Sequence, residues 1–350
     1  MAERARAVEA LDMNAGADWA GRKALVTGAT GIVGSWLVKD LLARGAQVVA
    51  LVFDLDPRSE VVRSGDLDRC AIVNGRLEDA DAVERAIVVH EVDSVFHLGA
   101  QTLVGAAHRA PLVTWEANVR GTYVLLEACR RHADVVRRVV IASSDKAYGE
   151  TDLLPTPEDV PLRPRHPYEV SKACADLIAQ SYAFTYGLPV AVARCGNVYG
   201  GGDLNWSRIV PGTIRALLQG ERPVLRSDGR HVRDYVYVRD VAAAYVALAD
   251  AIGEDGVAGE AFNFSDESPR TVLEIVGEIS RQLERDDLPP VVLDEAVGEI
   301  RAQALDASKA RRVLDWETHW DLASGLAETI AWYRDHLAAD EGPVPQLETR

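Results

Sequence analysis

Three glycines between a buried strand and a helix are the feature that most constrains this chain. Residues 24–34 read ALVTGATGIVG, in which Gly28, Gly31 and Gly34 follow an apolar run and open a helical stretch. Glycines allow a tight turn and a close backbone approach, and a helix N-terminus offers free N–H groups and a positive dipole end. This strand, turn and helix therefore predict a site for the pyrophosphate of a dinucleotide.

Short β-branched runs alternate with helical stretches through the first half of the chain. This alternation predicts an α/β fold, a Rossmann-type doubly wound parallel sheet with helices on both faces. The second half is richer in Gly, Pro and Arg and predicts a smaller C-terminal α/β substrate domain. The predicted strands are 24–27, 47–53, 93–98, 138–142 and 189–194. The predicted helices are 34–44, 114–131, 168–186, 208–219, 271–284 and 321–337.

Charge and cysteine usage exclude several classes of function. The chain has 38 Lys and Arg against 54 Asp and Glu, a formal charge of −16, which disfavours binding to nucleic acid. No apolar run is long enough to span a membrane, so no membrane partner is expected. The four cysteines are scattered without ligand spacing, which argues against a metal site and favours the reducing cytoplasm.

The strand over residues 47–53 should end beside the adenosine ribose of the dinucleotide. Asp54 is the first candidate to bind the ribose hydroxyls, and Asp56 is the second. A carboxylate at this position would repel the 2′-phosphate of NADP. The sequence therefore favours NAD as the cofactor.

Tyr168 and Lys172 form a Tyr-x-x-x-Lys pair in PYEVSKACADL. On a helix, residues four apart share one face. The lysine cation would lower the pKa of the tyrosine, and a phenolate can take a proton from a sugar hydroxyl while hydride leaves for nicotinamide. The pair therefore indicates dehydrogenase chemistry, although a surface helix pair would give the same spacing.

A second polar group follows the strand over residues 138–142. Ligands bind at the carboxyl ends of parallel strands, where Ser144, Asp145 and Lys146 fall. Ser144 could hydrogen-bond the reacting hydroxyl, and Asp145 and Lys146 are candidates for an acid/base pair. Lys146 can act as a base only when neutral, which requires burial or a nearby cation such as Lys172 to lower its pKa.

These motifs together resemble the extended short-chain dehydrogenase/reductase family. Within that family the chain is most similar to the nucleotide-sugar 4,6-dehydratases, especially the CDP-glucose branch, over roughly residues 18–335. The likeness is carried, in order, by DWAGRKALVTGATGIVGSWL, HLGAQTLV, ANVRGTYVLLEACR, SSDKAYG, HPYEVSKACAD, RCGNVYGGGD and LDASKARRVLDW. Some features depart from that branch: Arg76 stands in NGRLED, where the family usually has an Asp, and HVRDYVYVRD is more similar to TDP- and UDP-sugar enzymes.

The resemblance implies a role for each matching position. Ser144, Tyr168 and Lys172 would form the dehydrogenase triad, Asp145 and Lys146 would serve dehydration, and Asn118 would support the active-site helix. His97 would border the cofactor. The residues expected to bind NAD are Gly28, Thr30, Gly31, Ile32, Val33, Gly34, Asp54, Leu77, Leu98, Ala100, Gln101, Asn118, Tyr168 and Lys172.

An anionic nucleotide sugar would need arginines from the second half of the chain, because Arg can grip phosphate with two parallel hydrogen bonds. Asn197 and Arg233 match family positions that contact the diphosphate. The arginine candidates are Arg194, Arg208, Arg226, Arg233 and Arg301, of which Arg208, Arg233 and Arg301 join Asn197 as the predicted substrate residues.

The function predicted from these residues is an NAD-dependent nucleotide-hexose 4,6-dehydratase. The alternatives are a nucleotide-sugar 4-epimerase or uronate decarboxylase that uses the same triad, and a non-catalytic nucleotide-binding protein. The resemblance also implies a homodimer formed through the helices around 114–130 and 168–186.

The same reading divides the chain into two domains. We expect a flexible leader over residues 1–18 and an NAD-binding domain over 19–194 with return segments near 236–264. Residues 195–235 and 265–337 are predicted to bind the nucleotide sugar, and residues 338–350 are predicted to form a tail.

Overall fold

Seven parallel strands form the central sheet of the computed structural model, which describes residues 19–295 and 300–340. In chain order they are β1 (Lys23–Thr27), β2 (Gln47–Val52), β3 (Ala71–Asn74), β4 (Ser94–His97), β5 (Arg138–Ala142), β6 (Val190–Cys195) and β7 (Ala261–Phe264). Their order across the sheet is β7–β6–β5–β4–β1–β2–β3, and every pairing is parallel. The prediction of a Rossmann-type α/β fold is confirmed.

Helices cover both faces of this sheet. They are α1 (Ile32–Ala43), α2 (Glu60–Arg63), α3 (Ala80–His90), α4 (Val104–Arg109), α5 (Pro111–Trp115), α6 (Gly121–Arg131), α7 (Pro167–Tyr186), α8 (Ile209–Leu218), α9 (Val238–Ala251), α10 (Val272–Leu283), α11 (Ser308–Leu314) and α12 (Leu322–Asp340). Helices α1 and α9 pack together on one face, and α3, α6 and α7 pack in sequence on the other. Among these helices, none is both long and apolar enough to cross a membrane.

The strands form because their residues are apolar on both faces. Every residue of β4, β6 and β7 is buried, and β5 buries its three central residues. Each fully buried Val, Leu or Ile contributes roughly 1.5–3 kcal/mol relative to exposure. Continuous apolar runs of this kind are typical of parallel strands covered by helices.

A second core lies between α8, α10 and α12. Tyr199, Ile279, Leu326 and Tyr333 are buried in it. Three short strand pairs border this core, and their members are Asn197–Tyr199 with Tyr235–Tyr237, Val232–Arg233 with Arg270–Thr271, and Val224–Leu225 with Val291–Val292. This part of the chain meets the sheet at the carboxyl ends of β5 and β6.

Several elements differ from the sequence-based expectation; strand β7 and helix α9, for example, were not among the predicted strands and helices. Strand β3 was not predicted, because only Val73 of its four residues is buried and the apolar run is short. The predicted helix over 114–131 is divided by a π-helical turn over Glu116–Arg120, which separates α5 from α6. The last helix runs to Asp340, three residues beyond its predicted end. The predicted leader over residues 1–18 and residues 341–350 of the predicted tail lie outside the described residues.

Arg194, one of the arginine candidates for phosphate binding, is instead a buried structural residue. Its guanidinium donates to both carboxylate oxygens of Asp176 at 2.8 and 3.1 Å. It also donates to the Tyr148 hydroxyl at 2.8 Å and to the Glu158 carbonyl at 3.0 Å. Tyr148 in turn donates to the Asn263 side chain at 2.8 Å, so the buried arginine links β6, α7 and β7.

Replacing this arginine should destabilise the fold severely. The Arg194→Ala variant leaves the buried Asp176 carboxylate without its cation, with only the Gln180 amide still donating to it, and loss of one member of a buried ion pair costs about 3–5 kcal/mol. Urea unfolding followed by circular dichroism measures the loss. Arg281→Ala is the matched control, because Arg281 forms an exposed pair with Glu278 that is worth about 0–1 kcal/mol. Equal losses in the two variants would contradict the structural role.

Candidate active site

The glycine loop is so tight that two of its glycines have no room for a side chain. A Cβ atom on Gly28 would lie 2.7 Å from the backbone nitrogen of Gly99, and one on Gly34 would lie 2.0 Å from the carbonyl oxygen of Gly28. Gly28 also has a φ of +70°, which favours glycine. Gly31 precedes Ile32 at the start of α1 and offers no side-chain cap, so the helix N-terminus suits an anionic ligand.

The next predicted cofactor residues lie beside this loop. The Thr30 hydroxyl donates to the carbonyl oxygen of Asp54 at 3.3 Å, which ties the segment after β2 to the glycine loop. Asp54 is exposed and lies two residues beyond Val52, where β2 ends. Ile32 and Val33 form the first turn of α1. The structure thus brings these four predicted residues together at the carboxyl end of β1 and β2.

The segment after β4 runs along the other side of the glycine loop. The backbone N–H of Gly99 donates to the Thr27 hydroxyl at 3.0 Å, and a Cβ atom on Gly99 would lie 2.9 Å from the Leu77 side chain. Leu77 therefore fills the space beneath this segment, which carries the predicted residues Leu98, Ala100 and Gln101.

Asn118 fastens this segment to the helix that carries Tyr168. Its side-chain oxygen accepts from the Gln101 backbone N–H at 2.7 Å, and its amide donates to the Gln101 carbonyl at 3.0 Å and to the Ser171 hydroxyl at 2.9 Å. Ser171 then donates to the Tyr168 carbonyl at 2.7 Å. The π-helical turn over Glu116–Arg120 places Asn118 at this junction, and π turns are frequent at functional sites.

Asp145 and Lys146 are in direct contact at the end of β5. The Lys146 ammonium lies 2.8 Å from the Asp145 carboxylate and donates to the Asn197 side-chain oxygen at 3.2 Å. The Ser144 hydroxyl donates to the other Asp145 oxygen at 2.9 Å. Burial lowers the pKa of Lys146, Asp145 opposes that shift, and the charge of Arg233 lowers the pKa further. The cation that helps to lower the pKa of Lys146 is Arg233, whereas the sequence suggested Lys172.

Tyr168 and Lys172 lie on α7 facing the same edge of the sheet. The Lys172 ammonium donates to the Ala142 carbonyl at 2.8 Å, which fixes it at the end of β5. Burial lowers the pKa of Lys172 to about 8. Burial raises the pKa of Tyr168 to about 12, although the Arg208 charge and a hydrogen bond with Ser144 act in the opposite direction. The net shift of the Tyr168 pKa is therefore upward because burial dominates, whereas the sequence predicted a lowering by Lys172.

His97 lies in the interior between β1 and α6. Its ring nitrogens are 2.9 Å from the Thr27 hydroxyl and 3.2 Å from the Thr122 hydroxyl. Burial lowers the pKa of His97 to about 3, with a smaller contribution from the Lys172 charge, so the ring is neutral at pH 7. Within the described ranges, no group of three or more His, Cys, Asp or Glu side chains is arranged to hold a metal ion.

The predicted substrate arginines have different surroundings. Arg208 precedes α8 and pairs with Asp203 at 3.0 Å. Arg233 is buried, and its guanidinium donates to the backbone carbonyls of Ile300 and Arg301. The Arg301 side chain is 81% exposed. Asn197 contacts Lys146 and therefore lies beside the Asp145–Lys146 pair. The Arg233 side chain is instead fixed by the backbone of residues 300–301.

Two residues near the acid/base pair were missed from the sequence. The Gln303 amide donates to the Asp145 carbonyl at 3.4 Å. Asp234 accepts from the Leu305 backbone N–H at 2.6 Å and from the Ser265 hydroxyl at 2.8 Å. Burial raises the pKa of Asp234, and the Asp145 charge contributes to the rise. Asp234 falls within the HVRDYVYVRD motif, whereas nothing in the sequence marks Gln303.

A family model described as the NAD dependent epimerase/dehydratase family matches residues 24–264. The chain belongs to this family. It is 34% identical over 328 residues to the dTDP-glucose 4,6-dehydratase of Streptomyces griseus, which covers 92% of this chain and 97% of that protein. It is 30% identical over 340 residues to the CDP-glucose 4,6-dehydratase of Salmonella typhimurium, covering 92% and 93% of the two chains.

A solved structure shows the same architecture. The crystal structure of DesIV, a dTDP-glucose 4,6-dehydratase from Streptomyces venezuelae with NAD bound, superposes with a TM-score of 0.80 at 31% identity. The match covers 91% of this chain and 98% of that one. The sequence-based assignment to the extended dehydrogenase/reductase family is confirmed by these comparisons.

Adding one methyl group at Gly34 should greatly weaken dinucleotide binding. The Gly34→Ala variant drives a Cβ atom into the Gly28 carbonyl, so the loop must open and lose its approach to a pyrophosphate. Calorimetric titration with NAD should show at least a hundredfold weaker binding. Gly253→Ala is the control, because a Cβ atom there meets nothing within 4 Å. Unchanged affinity in Gly34→Ala would mean that the pyrophosphate lies elsewhere.

Proposed function

We propose that the protein is an NAD-dependent nucleotide-hexose 4,6-dehydratase. It converts a nucleotide hexose similar to CDP-glucose into the 4-keto-6-deoxy sugar by oxidation at carbon 4, elimination of water across carbons 5 and 6, and return of hydride to carbon 6. The observation that carries this proposal is the Lys146–Asp145 contact beside Ser144 and the Tyr168–Lys172 helix. Elimination requires an acid and a base next to the oxidising residues, and this pair supplies both.

The dinucleotide fits the glycine loop, where a tight turn meets the N-terminus of α1. NAD bound there supplies a hydride acceptor for the sugar and then the donor that returns the hydride. We assign its pyrophosphate to Gly28, Gly31 and Gly34 and its ribose to Asp54. The further cofactor residues are Thr30, Ile32, Val33, Leu77, Leu98, Ala100, Gln101, Asn118, Tyr168 and Lys172.

Tyr168 acts as the base for the hydroxyl at carbon 4. Ser144 hydrogen-bonds that hydroxyl and contacts Tyr168, so it aligns the proton for transfer. The Arg208 charge and the Ser144 hydrogen bond stabilise the Tyr168 phenolate and so oppose the effect of burial on its pKa. Lys172 is fixed in place by its own hydrogen bond to the Ala142 carbonyl. Asn118 keeps the helix in register with the cofactor segment through Ser171.

Elimination uses a proton that moves between Lys146 and Asp145. In the ion pair, lysine is charged and cannot act as a base, and the carboxylate cannot act as an acid. Transfer of one proton over their 2.8 Å contact leaves both groups neutral and makes lysine the base and Asp145 the acid. Burial lowers the pKa of Lys146 and so favours this exchange. Neutral Lys146 then removes the proton at carbon 5, and Asp145 protonates the hydroxyl that leaves from carbon 6.

The nucleotide diphosphate is assigned to residues 195–235 and 265–337. This part of the chain meets the carboxyl ends of the strands that belong to the proposed NAD-binding residues 19–194 and 236–264. Asn197, Arg208, Arg233 and Arg301 are the proposed ligands. The exposed guanidinium of Arg301 and the paired guanidinium of Arg208 support binding to phosphate, because a globally acidic chain needs local cations to attract an anion.

Incubation with CDP-, TDP-, UDP- and GDP-glucose in deuterated water tests this function. At least one substrate should yield a 4-keto-6-deoxy product with deuterium at carbon 5, because carbon 5 loses its proton and regains one from solvent. Mass spectrometry and NMR of the product measure the incorporation. Absence of such a product with all four substrates would reject the dehydratase assignment.

Lys146→Ala separates the dehydratase from the alternative epimerase or decarboxylase. Both activities need oxidation at carbon 4, but only elimination needs the base. The variant should lose dehydration by at least about a hundredfold, since general acid–base catalysis contributes typically 10²–10⁴-fold, while still reducing bound NAD on addition of substrate. Lys23→Ala provides the control, because Lys23 is a half-buried lysine that is also paired with a carboxylate but lies away from the acid/base pair, at the start of β1. Full dehydration by the Lys146 variant would remove this residue from the mechanism.

The exposed apolar side chains of the helices around α5–α7 support a homodimer. Leu112, Trp115, Leu177 and Phe184 are exposed, and Phe184 is 95% exposed. Helices α5 and α7 pack against each other, and large exposed apolar side chains on neighbouring helices are typical of interaction surfaces. The four cysteines, all free, support a location in the reducing cytoplasm.

Light scattering should give about twice the chain mass of 38.0 kDa for the wild-type protein. Phe184→Glu should shift the protein to the monomer, because a carboxylate cannot be buried without a partner. Val89→Glu, at a valine on α3 that is 66% exposed, should leave the mass unchanged. A monomeric wild-type protein would contradict the dimer.

A further inference from the structure

An arginine stacks on an exposed phenylalanine at the edge of the sheet. Phe53 follows β2 directly, and its side chain is 57% exposed. Arg76 lies two residues beyond β3, and its guanidinium carbon is 4.1 Å from the centroid of the phenylalanine ring. The Arg76 Nε–H donates to the Glu78 carboxylate at 2.5 Å, which fixes the orientation of the guanidinium plane.

The stack lies next to the glycine loop. The backbone N–H of Gly75 donates to the Val52 carbonyl at 3.0 Å, so the segment that carries Arg76 is held against the end of β2. On the other side of Phe53, the Asp54 carbonyl accepts from Thr30 of the glycine loop. In a sheet of this topology the adenosine half of a dinucleotide lies at the carboxyl end of β2.

We propose that Phe53 and Arg76 form a stacking platform for the adenine ring of the dinucleotide. The proposal rests on the assignment of NAD to the glycine loop. Planar guanidinium groups stack on aromatic rings and on bases, and stacking of a base on an aromatic side chain is worth enough to change affinity several-fold. One face of the Arg76 guanidinium lies on Phe53 and one edge is held by Glu78, but the Arg76 side chain remains 51% exposed and can contact a planar ligand.

A stacking platform recognises the face of the base rather than its edge. Arginine has no hydrogen-bond acceptor, so Arg76 cannot accept from the exocyclic amine of adenine. Among the nearby carboxylates, Glu78 is engaged by Arg76 and Asp56 by Arg58, while Asp54 is assigned to the ribose. The platform should therefore accept hypoxanthine in place of adenine with little loss of affinity.

Calorimetric titration of the full-length chain, freed of bound nucleotide, tests the platform. NAD and nicotinamide hypoxanthine dinucleotide should bind the wild-type protein within about threefold of each other. Phe53→Ala and Arg76→Ala should each weaken the binding of both ligands by about fivefold or more, at the lower end of stacking contributions. Arg76→Lys should behave like Arg76→Ala, because lysine keeps the charge and loses the plane. Arg281→Ala, at another exposed glutamate-paired arginine, should not change binding.

Three results would overturn the platform. The first is wild-type affinity for NAD in both alanine variants. The second is wild-type affinity in Arg76→Lys but not in Arg76→Ala, which would show that Arg76 acts by charge attraction. The third is binding of nicotinamide hypoxanthine dinucleotide to the wild-type chain more than about tenfold more weakly than NAD. If NAD binds the wild-type chain and any of these results is found, the platform fails and the proposed function stands. If NAD does not bind the wild-type chain, the proposed function fails as well. Phe53 and Arg76 are both exposed, so thermal unfolding of the variants at these residues should match that of the wild type.

Discussion

Parallel pairing of all seven strands places every strand's carboxyl end at one edge of the sheet, and the functional groups of this chain depend on that constraint. The glycine loop follows β1, the Asp54 segment follows β2, the Gln101 segment follows β4 and the acid/base pair follows β5. Residues that are more than a hundred positions apart in sequence therefore become neighbours. The edge is also where the second core joins the sheet, because Asn197 lies two residues beyond the end of β6.

The segments at this edge are held by buried polar residues whose hydrogen bonds are satisfied. Asn118 binds both backbone groups of Gln101 and the hydroxyl of Ser171, and His97 lies between two threonine hydroxyls. Arg194 uses its guanidinium on a carboxylate, a hydroxyl and a carbonyl. A buried polar group costs free energy unless it is paired, so these paired groups favour one arrangement of the loops. The positions of the reactive groups thus derive from contacts that take no part in the reaction.

The sequence predicted the parts of the structure that depend on local pattern. The apolar runs of β1, β2, β5 and β6 and the glycine loop could be located because burial on both faces and a tight turn impose a composition. The half-exposed strand β3 has no such composition. The role of Arg194 could not be predicted, because its partners Asp176 and Tyr148 come from other segments of the chain. The same holds for Arg233, whose carbonyl partners lie some seventy residues later, and for Gln303.

The acid/base pair shows why long-range contacts matter for chemistry as well as for folding. Lys146 and Asp145 are adjacent in sequence, so their contact alone could be expected in many turns. What distinguishes them is their surroundings: Asn197 accepts from the ammonium, Gln303 holds the Asp145 backbone, and the Arg233 charge opposes the protonated lysine. All three come from the part of the chain assigned to substrate binding. A lysine in water would remain charged at pH 7, and here burial together with a fixed cation reduces the free-energy cost of the neutral base. In the proposed mechanism, the part of the chain assigned to substrate binding therefore acts on the reaction through the lysine as well as through contact with the nucleotide.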